Sequence, residues 1–149
     1  MPVERPALRL SLQQPDGRHR KILARSKVAR WIRAALEAPA EIAVRVVDEA
    51  EGRDLNLRYR AEGHATNVLT FEYQRKPVVV GDLVLCAPVV AREAREQRKA
   101  LQAHYALLIV HATLHAQGWD HQRAPDARAM QARESALLLA LGFADPHRA

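Results

Sequence analysis

Three of the seven histidines lie close together in the stretch HATLHAQGWDH. His111 and His115 are four residues apart, so on a helix their side chains project from one face, one turn above each other. Gly118 allows a sharp turn, after which His121 can return to the pair. Three imidazole ligands leave a fourth tetrahedral position for water, which is typical of catalytic rather than structural zinc. The spacing predicts one Zn²⁺ per chain, although nickel, copper and iron also accept such ligands.

The residue after the first histidine indicates which reaction suits this site. H-x-x-x-H-x-x-G-x-x-H is the spacing of a class of zinc peptidases in which that residue is Glu, the general base. Here it is Ala112, which cannot accept a proton. Another group, or water activated by the metal itself, must therefore take the proton. Ordinary peptidase chemistry is disfavoured.

Length and composition are those of a folded soluble protein. The 149 residues are 48% hydrophobic and 27% charged, which excludes a disordered chain. The single cysteine, Cys86, excludes an internal disulfide and permits a reducing compartment. No segment approaches the roughly 20 apolar residues that span a bilayer, and the first residues lack the apolar stretch of a signal peptide. We expect a cytoplasmic protein with no membrane partner.

The charge balance favours a phosphate-bearing partner only weakly. There are 23 Lys and Arg residues against 17 Asp and Glu, and 19 of the basic residues are arginine, which suits bidentate contacts to phosphate. Between Gly17 and Leu36 there are seven basic residues and no acid. This segment is either a solvated helix face or a surface that contacts phosphate. Its candidate RNA-binding residues include Arg18, Arg20, Lys21, Arg25 and Lys27.

Hydrophobic periodicity predicts an α+β fold, in which a small mixed four-stranded sheet packs against about five helices. The helix over 101–118 is apolar nearly all round, so it should be central and buried, as a metal-binding helix of the zinc-peptidase type. With no repeat or long linker, residues 1–149 are expected to form a single domain. The predicted strands are 7–13, 41–49, 67–73 and 78–87, and the predicted helices are 18–38, 50–63, 88–99, 101–118 and 125–141.

Read together, several stretches resemble the YbeY family of endoribonucleases, which are rRNA maturation factors. The family hallmark H-G-x-L-H-L-x-G-Y-D-H is matched by HATLHAQGWDH. LNLRYR, TNVLTF and GDLVLC match further family segments in order, and the likeness covers roughly residues 41–146. The departures are Ala112, Ala116 and Trp119 within the hallmark, and Glu72 where the family has proline. All three histidines and Gly118 are kept.

The resemblance implies a zinc-dependent, single-strand-specific endoribonuclease. It would act in rRNA processing, at the 3′ end of 16S rRNA, and in ribosome quality control. His111, His115 and His121 would bind zinc. Arg60 would be the catalytic arginine, because a fixed guanidinium stabilises the charge that develops on phosphate oxygens. The implied partners are single-stranded rRNA, the ribosome or a small-subunit precursor, and a ribosomal protein or assembly GTPase.

Three further residues are assigned supporting roles, each with an alternative. Asp120 either orients a zinc ligand or caps the turn after Gly118. Glu134 forms a salt bridge or supports a ligand. Asn67 either contacts substrate or begins a strand.

Two other functions stay open. A metallopeptidase of similar architecture is disfavoured by Ala112. A non-catalytic ribosome-assembly module with a structural zinc is harder to dismiss. Resemblance to the family supports a role in rRNA processing more strongly than it supports catalysis of a particular reaction by this chain.

Overall fold

A computed structural model describes residues 6–60 and 62–147. Within these ranges the chain forms a mixed four-stranded sheet and five helices, so the predicted α+β fold is confirmed. None of these helices is both long and apolar enough to cross a bilayer. The strands are β1 (Leu8–Gln13), β2 (Ala40–Val47), β3 (Val68–Gln74) and β4 (Val79–Cys86), and the helices are α1 (Arg25–Ala35), α2 (Glu49–Arg60), α3 (Ala87–Glu96), α4 (Leu101–Ala116) and α5 (Ala124–Ala140).

The sheet has the order β1-β2-β4-β3, with β3 at one edge. β1, β2 and β4 run parallel, and α1 makes the crossover from β1 to β2 that a parallel pair requires. The short loop 75–78 joins β3 to β4, which allows this pair to be antiparallel. The central strands β2 and β4 are covered on both faces, which explains their nearly continuous apolar sequences. Among the described residues, β1 and β3 are the edge strands of the sheet.

Two hydrophobic clusters cover the two faces of the sheet. The larger one joins α1, α4 and α5 to β2 and β4, and buries Trp31, Ile109 and Leu114 completely or nearly so. The smaller cluster, with Val47 and Leu69, lies beneath α2. Because α4 packs against α1, α3, α5, β3 and β4, it is apolar nearly all round. α4 is therefore the central element from which the first two histidines project.

The predicted helix over 18–38 is wrong in its first third. Residues 18–23 form turns, and α1 begins only at Arg25. The Asp16 carboxylate accepts hydrogen bonds from both the backbone and the guanidinium of Arg18, and such local bonds compete with helix formation. His19 is joined to the Tyr105 hydroxyl at 2.7 Å, and Leu23 is fully buried. These tertiary contacts hold the segment in a non-helical conformation.

Gly81 in β4 allows a close approach of β3. It lies opposite the bulge between Glu72 and Gln74, and a Cβ at this position would lie 3.0 Å from the carbonyl oxygen of Phe71. We therefore expect Gly81→Ala to lower the free energy of unfolding by about 1–3 kcal/mol, because the β3 backbone must move. Urea denaturation followed by circular dichroism measures this. Gly63→Ala is the control, since nothing lies within 4 Å of its added Cβ, and equal stability of the two variants would contradict the prediction.

Candidate active site

The end of α4 brings the three histidines together. His111 and His115 occupy successive turns of α4 and are half-buried. The helix ends in a Schellman motif, in which the Trp119 N–H donates to the Leu114 carbonyl and the Gly118 N–H to that of His115. Gly118 has a φ of 102°, in the left-handed region where glycine is favoured. The chain therefore reverses as the sequence predicted, and His121 returns beside α4.

The three imidazole rings lie close together. Their centres are 5.1 Å apart for His111 and His121, 5.5 Å for His115 and His121, and 6.3 Å for His111 and His115. Zinc held tetrahedrally at about 2.1 Å from three such nitrogens places the ring centres about 5 Å apart. In residues 6–60 and 62–147, no group of three or more His, Cys, Asp or Glu side chains is arranged so that it could hold a metal ion as it lies. Two of the ring separations fit one ion, whereas the 6.3 Å between His111 and His115 is about 1 Å longer than such a site requires.

Two carboxylates hold the rings of the α4 histidines. The Glu134 carboxylate accepts a 2.5 Å hydrogen bond from Nδ1 of His111. Glu72 lies 3.5 Å from Nδ1 of His115, on the opposite side of the site. Both contacts use Nδ1, so Nε2 of each ring is left for a ligand. This carboxylate–histidine arrangement commonly orients metal-binding imidazoles.

Glu134 is a buried carboxylate with two histidine partners. It is 2% exposed, and its second oxygen accepts a 2.6 Å hydrogen bond from Nε2 of His147. Burial raises the pKa of the Glu134 carboxyl, but the hydrogen bonds and charges of His111 and His147 outweigh it and hold that pKa below its usual value. Glu134 is therefore ionised at neutral pH. An ionised carboxylate only accepts, so each histidine donates an N–H to it.

A cavity of about 690 Å³ opens onto this cluster. All three histidines line it, together with Arg60, Asn67, Glu134 and His147. Its walls come from β3, α4, α5 and the segment after α5. This volume is within the usual range of sites that bind small molecules or single groups of a polymer.

Arg60 reaches the cavity from the end of α2. Its Nη2 donates a 2.7 Å hydrogen bond to the Thr70 carbonyl on the outer edge of β3. Its guanidinium carbon lies 5.5 Å from the centre of the Phe71 ring. The side chain is exposed, yet these two contacts fix the guanidinium plane. The remaining N–H groups are available for an anion in the cavity.

Two of the supporting residues are used for local structure. Asp120 accepts hydrogen bonds from the backbone N–H groups of His121 and Gln122, and the bond from Gln122 is the main reason why its pKa is lowered. This matches the turn-capping alternative. Asn67 donates to Glu93 at 3.0 Å and accepts from the Val68 N–H, where β3 begins. Asn67 also lines the cavity, so its position is compatible with both predicted roles, contact with the substrate and the start of a strand.

The basic segment does not lie at the cavity. None of its five candidate RNA-binding residues lines this space, and because α1 begins only at Arg25, Arg18, Arg20 and Lys21 do not lie on a face of that helix. Four of the five are engaged in intramolecular contacts: Arg18 with Asp16, Arg20 with the Gln14 carbonyl, Arg25 with the Leu10 carbonyl and Lys27 with Gln102. A role of these residues in guiding RNA stays a prediction.

Two residues of the site were not predicted from the sequence. His147 was not considered, although it follows a glycine at the end of a predicted helix, Gly142, as His121 follows Gly118. Glu72 was noted only as a departure from a family proline. The sequence places Glu72 on the same face of β3 as Val68 and Thr70. Because this face meets α4, that pattern could have identified Glu72 as a neighbour of the α4 histidines.

Comparison with known proteins agrees with this architecture. The family model described as Endoribonuclease YbeY matches residues 14–142. Endoribonuclease YbeY of Methylibium petroleiphilum is 62% identical over 143 residues, which cover 96% of each chain. The protein of the same name from Verminephrobacter eiseniae is 55% identical over 149 residues, covering 99% of this chain and 97% of the relative.

A solved structure shares the fold. The solution structure of TM1509 from Thermotoga maritima matches with a TM-score of 0.59 and covers 95% of this chain and 99% of its own. At 21% sequence identity this likeness concerns the fold alone. Family membership is established instead by the matched family model and by relatives that are more than half identical over nearly the whole chain. The chain belongs to the YbeY endoribonuclease family.

Proposed function

We propose that this protein is a zinc-dependent endoribonuclease that cleaves single-stranded RNA. The observation that carries the proposal is one cavity containing three converging imidazoles and a fixed guanidinium, with Ala112 where a peptidase has its general base. Ala112 is completely buried, and its methyl group offers no proton acceptor. The membership of the chain in a family of endoribonucleases supports RNA as the substrate.

Arg60 is the residue that we assign to the scissile phosphate. One of its N–H groups is bound to the Thr70 carbonyl, and the others can form two parallel hydrogen bonds to non-bridging oxygens. Since the side chain is held before the substrate arrives, little reorganisation is needed when negative charge develops. Arg60 therefore binds and orients the phosphodiester and stabilises the transition state.

The three histidines are the residues that we assign to zinc. Glu134 and Glu72 engage Nδ1 of His111 and His115, which leaves Nε2 of both rings for a ligand, and His121 supplies the third ring. All-imidazole sites with an open fourth position suit zinc. A bound zinc ion would supply Lewis-acid stabilisation of the charge on the phosphate.

The position of the cavity supports a single-stranded substrate. Its walls are formed by β3, α4 and α5, so the phosphate must enter a recess rather than rest on a flat surface. A flexible strand can enter such a recess more readily than a stiff A-form duplex.

Following the family resemblance, we propose that the substrate is the 3′ end of 16S rRNA. We likewise assign the protein to ribosome quality control in the cytoplasm, where a ribosomal protein or assembly GTPase delivers it to the small-subunit precursor.

The proposal is tested by offering purified protein a single-stranded RNA and the same sequence as a duplex. We expect chelator-sensitive cleavage of the single strand and little cleavage of the duplex.

Sequencing of rRNA termini in cells lacking the protein, with rescue by the wild type and by Arg60→Ala, tests the cellular role. A folded Arg60→Ala protein that fully restores the 16S 3′ end would favour the non-catalytic assembly module, and cleavage of a peptide library would favour the peptidase.

The contact between Glu134 and His111 leads to a separate prediction. We expect Glu134→Gln to weaken zinc affinity about 10- to 100-fold, because the buried carboxylate no longer orients the ring or raises its basicity. Competition with a chromophoric chelator measures the affinity. Glu72→Gln is the comparison, and its effect should be smaller because Glu72 is more exposed and lies 3.5 Å from His115. Wild-type affinity in Glu134→Gln would show that this contact does not support a metal ligand.

A further inference from the structure

We propose that His147 is the general base that accepts the proton of the attacking water, the role that Ala112 cannot fill. This inference rests on the proposed endoribonuclease function and assigns one further catalytic residue to it. His147 lines the same cavity as Arg60 and the three clustered histidines. Its ring is partly exposed, so it is open to a substrate in that space.

The chain after α5 is shaped to bring His147 back to this cavity. α5 ends in a second Schellman motif, in which the Phe143 N–H donates to the Leu138 carbonyl and the Gly142 N–H to that of Leu139. Gly142 has a φ of 93°. The chain thus reverses after α5 as it does after α4. Each reversal returns a histidine to the site.

Asp145 secures the returning segment. Its carboxylate accepts a 2.6 Å hydrogen bond from the Ser135 hydroxyl of α5 and a 2.9 Å bond from the backbone N–H of His147. The His147 ring is then anchored by the 2.6 Å hydrogen bond from its Nε2 to Glu134. Both the backbone and the ring of His147 are therefore fixed, as a general base requires.

The bond to Glu134 determines which nitrogen of His147 can accept a proton. Nε2 of His147 lies 2.6 Å from the buried Glu134 carboxylate, so a neutral ring that donates to this carboxylate carries its hydrogen on Nε2 and its lone pair on Nδ1. A carboxylate that fixes the tautomer of a histidine and stabilises its protonated form is the arrangement found in Ser-His-Asp triads. In this chain one carboxylate serves two histidines, since its other oxygen holds His111.

Elimination among the cavity-lining groups leads to the same residue. Of the described residues, the ionisable side chains that line the cavity are Arg60, Glu134 and the histidines at 111, 115, 121 and 147. The guanidinium of Arg60 only donates hydrogen bonds, and both Glu134 oxygens are engaged by imidazoles. Three of the histidines are assigned to the metal. His147 is the remaining group with a lone pair for a proton.

In the step that we assign to His147, water is the nucleophile. A water oxygen forms a bond to the phosphorus while one water proton moves to Nδ1 of His147. The bond from phosphorus to the leaving ribose oxygen breaks, and its electron pair stays on that oxygen. The protonated imidazole, stabilised by Glu134, then gives a proton to the leaving oxygen or to solvent, which restores the neutral ring.

The test compares His147→Gln with His64→Gln in the zinc-loaded full chain. His64 is exposed and lies outside the cavity, so it controls for loss of a surface histidine. We expect His147→Gln to lower kcat for single-stranded RNA about 10²- to 10⁴-fold with little change in KM, zinc content or circular dichroism. We expect imidazole to restore part of the rate of His147→Ala and not to accelerate the wild type.

Several results would overturn the inference. They are wild-type kcat in His147→Gln, a loss of kcat that parallels a loss of zinc, and no restoration of His147→Ala by imidazole. The second result would assign His147 to positioning through Glu134. If the wild type itself fails to cleave RNA, the proposed function is what fails, so the two failures are distinguishable.

Discussion

Replacing His115 with alanine is expected to reduce RNA cleavage by about 10³-fold or more. The estimate follows from the several kcal/mol that a metal ion contributes to charge stabilisation, with each 1.36 kcal/mol worth a factor of ten. His115 is one of the three clustered histidines, with its ring centre 5.5 Å from that of His121. Removing it leaves two of three proposed ligands, so zinc content should fall together with the rate.

His115→Ala should remain folded, because its side chain is only half-buried at the end of α4 and the turn depends on the backbone of His115 and on Gly118. Circular dichroism and a thermal transition check this. His64→Ala is the matched control, since it also removes an imidazole but lies outside the cavity. Undiminished cleavage by a metal-free His115→Ala preparation would contradict the assignment and point to a contaminating nuclease.

Replacing Arg60 is expected to lower kcat/KM by about 10²- to 10³-fold, the usual effect of removing one fixed donor from a developing negative charge. Arg60→Lys should recover only part of this loss, because an ammonium group cannot form two parallel hydrogen bonds or keep the contact with Phe71. Steady-state cleavage of a labelled single-stranded RNA measures both variants.

Arg58 provides the control for Arg60. It lies in the same helix, is largely exposed and is paired with Asp54 in an i, i+4 contact. Arg58→Ala removes the same charge without reaching the cavity, so any effect of net charge on RNA binding appears in both variants. Equal losses in Arg58→Ala and Arg60→Ala would indicate a general electrostatic effect and contradict the role of Arg60 at the phosphate.

The part of the site that lies on α4 was predictable from the sequence. The i, i+4 spacing of His111 and His115 sets their common face, and Gly118 marks where the helix ends and reverses. Both effects are local, because they depend on helix geometry and on the conformational freedom of one glycine. The apolar character of 101–118 similarly predicts a central buried helix, since no face of such a helix suits water.

Other parts depend on contacts between distant segments. The start of α1 is decided by the bond of His19 to Tyr105, 86 residues away, and by the burial of Leu23, neither of which a helical periodicity contains. Arg60 was identified through the family resemblance, because on periodicity alone it is an exposed residue at a helix end. The pairing of Glu134 with His147 requires a reversal at Gly142, whose consequence is visible only in three dimensions.

The central claim is that the three histidines form a zinc site that is needed for RNA cleavage. The most direct measurement is the cleavage rate of metal-free protein as zinc is added back, with single-stranded RNA as the substrate. The account predicts negligible cleavage without metal and a rate that rises to a plateau at one zinc per chain, with no recovery in His115→Ala. Full cleavage by folded, metal-free wild-type protein would contradict it.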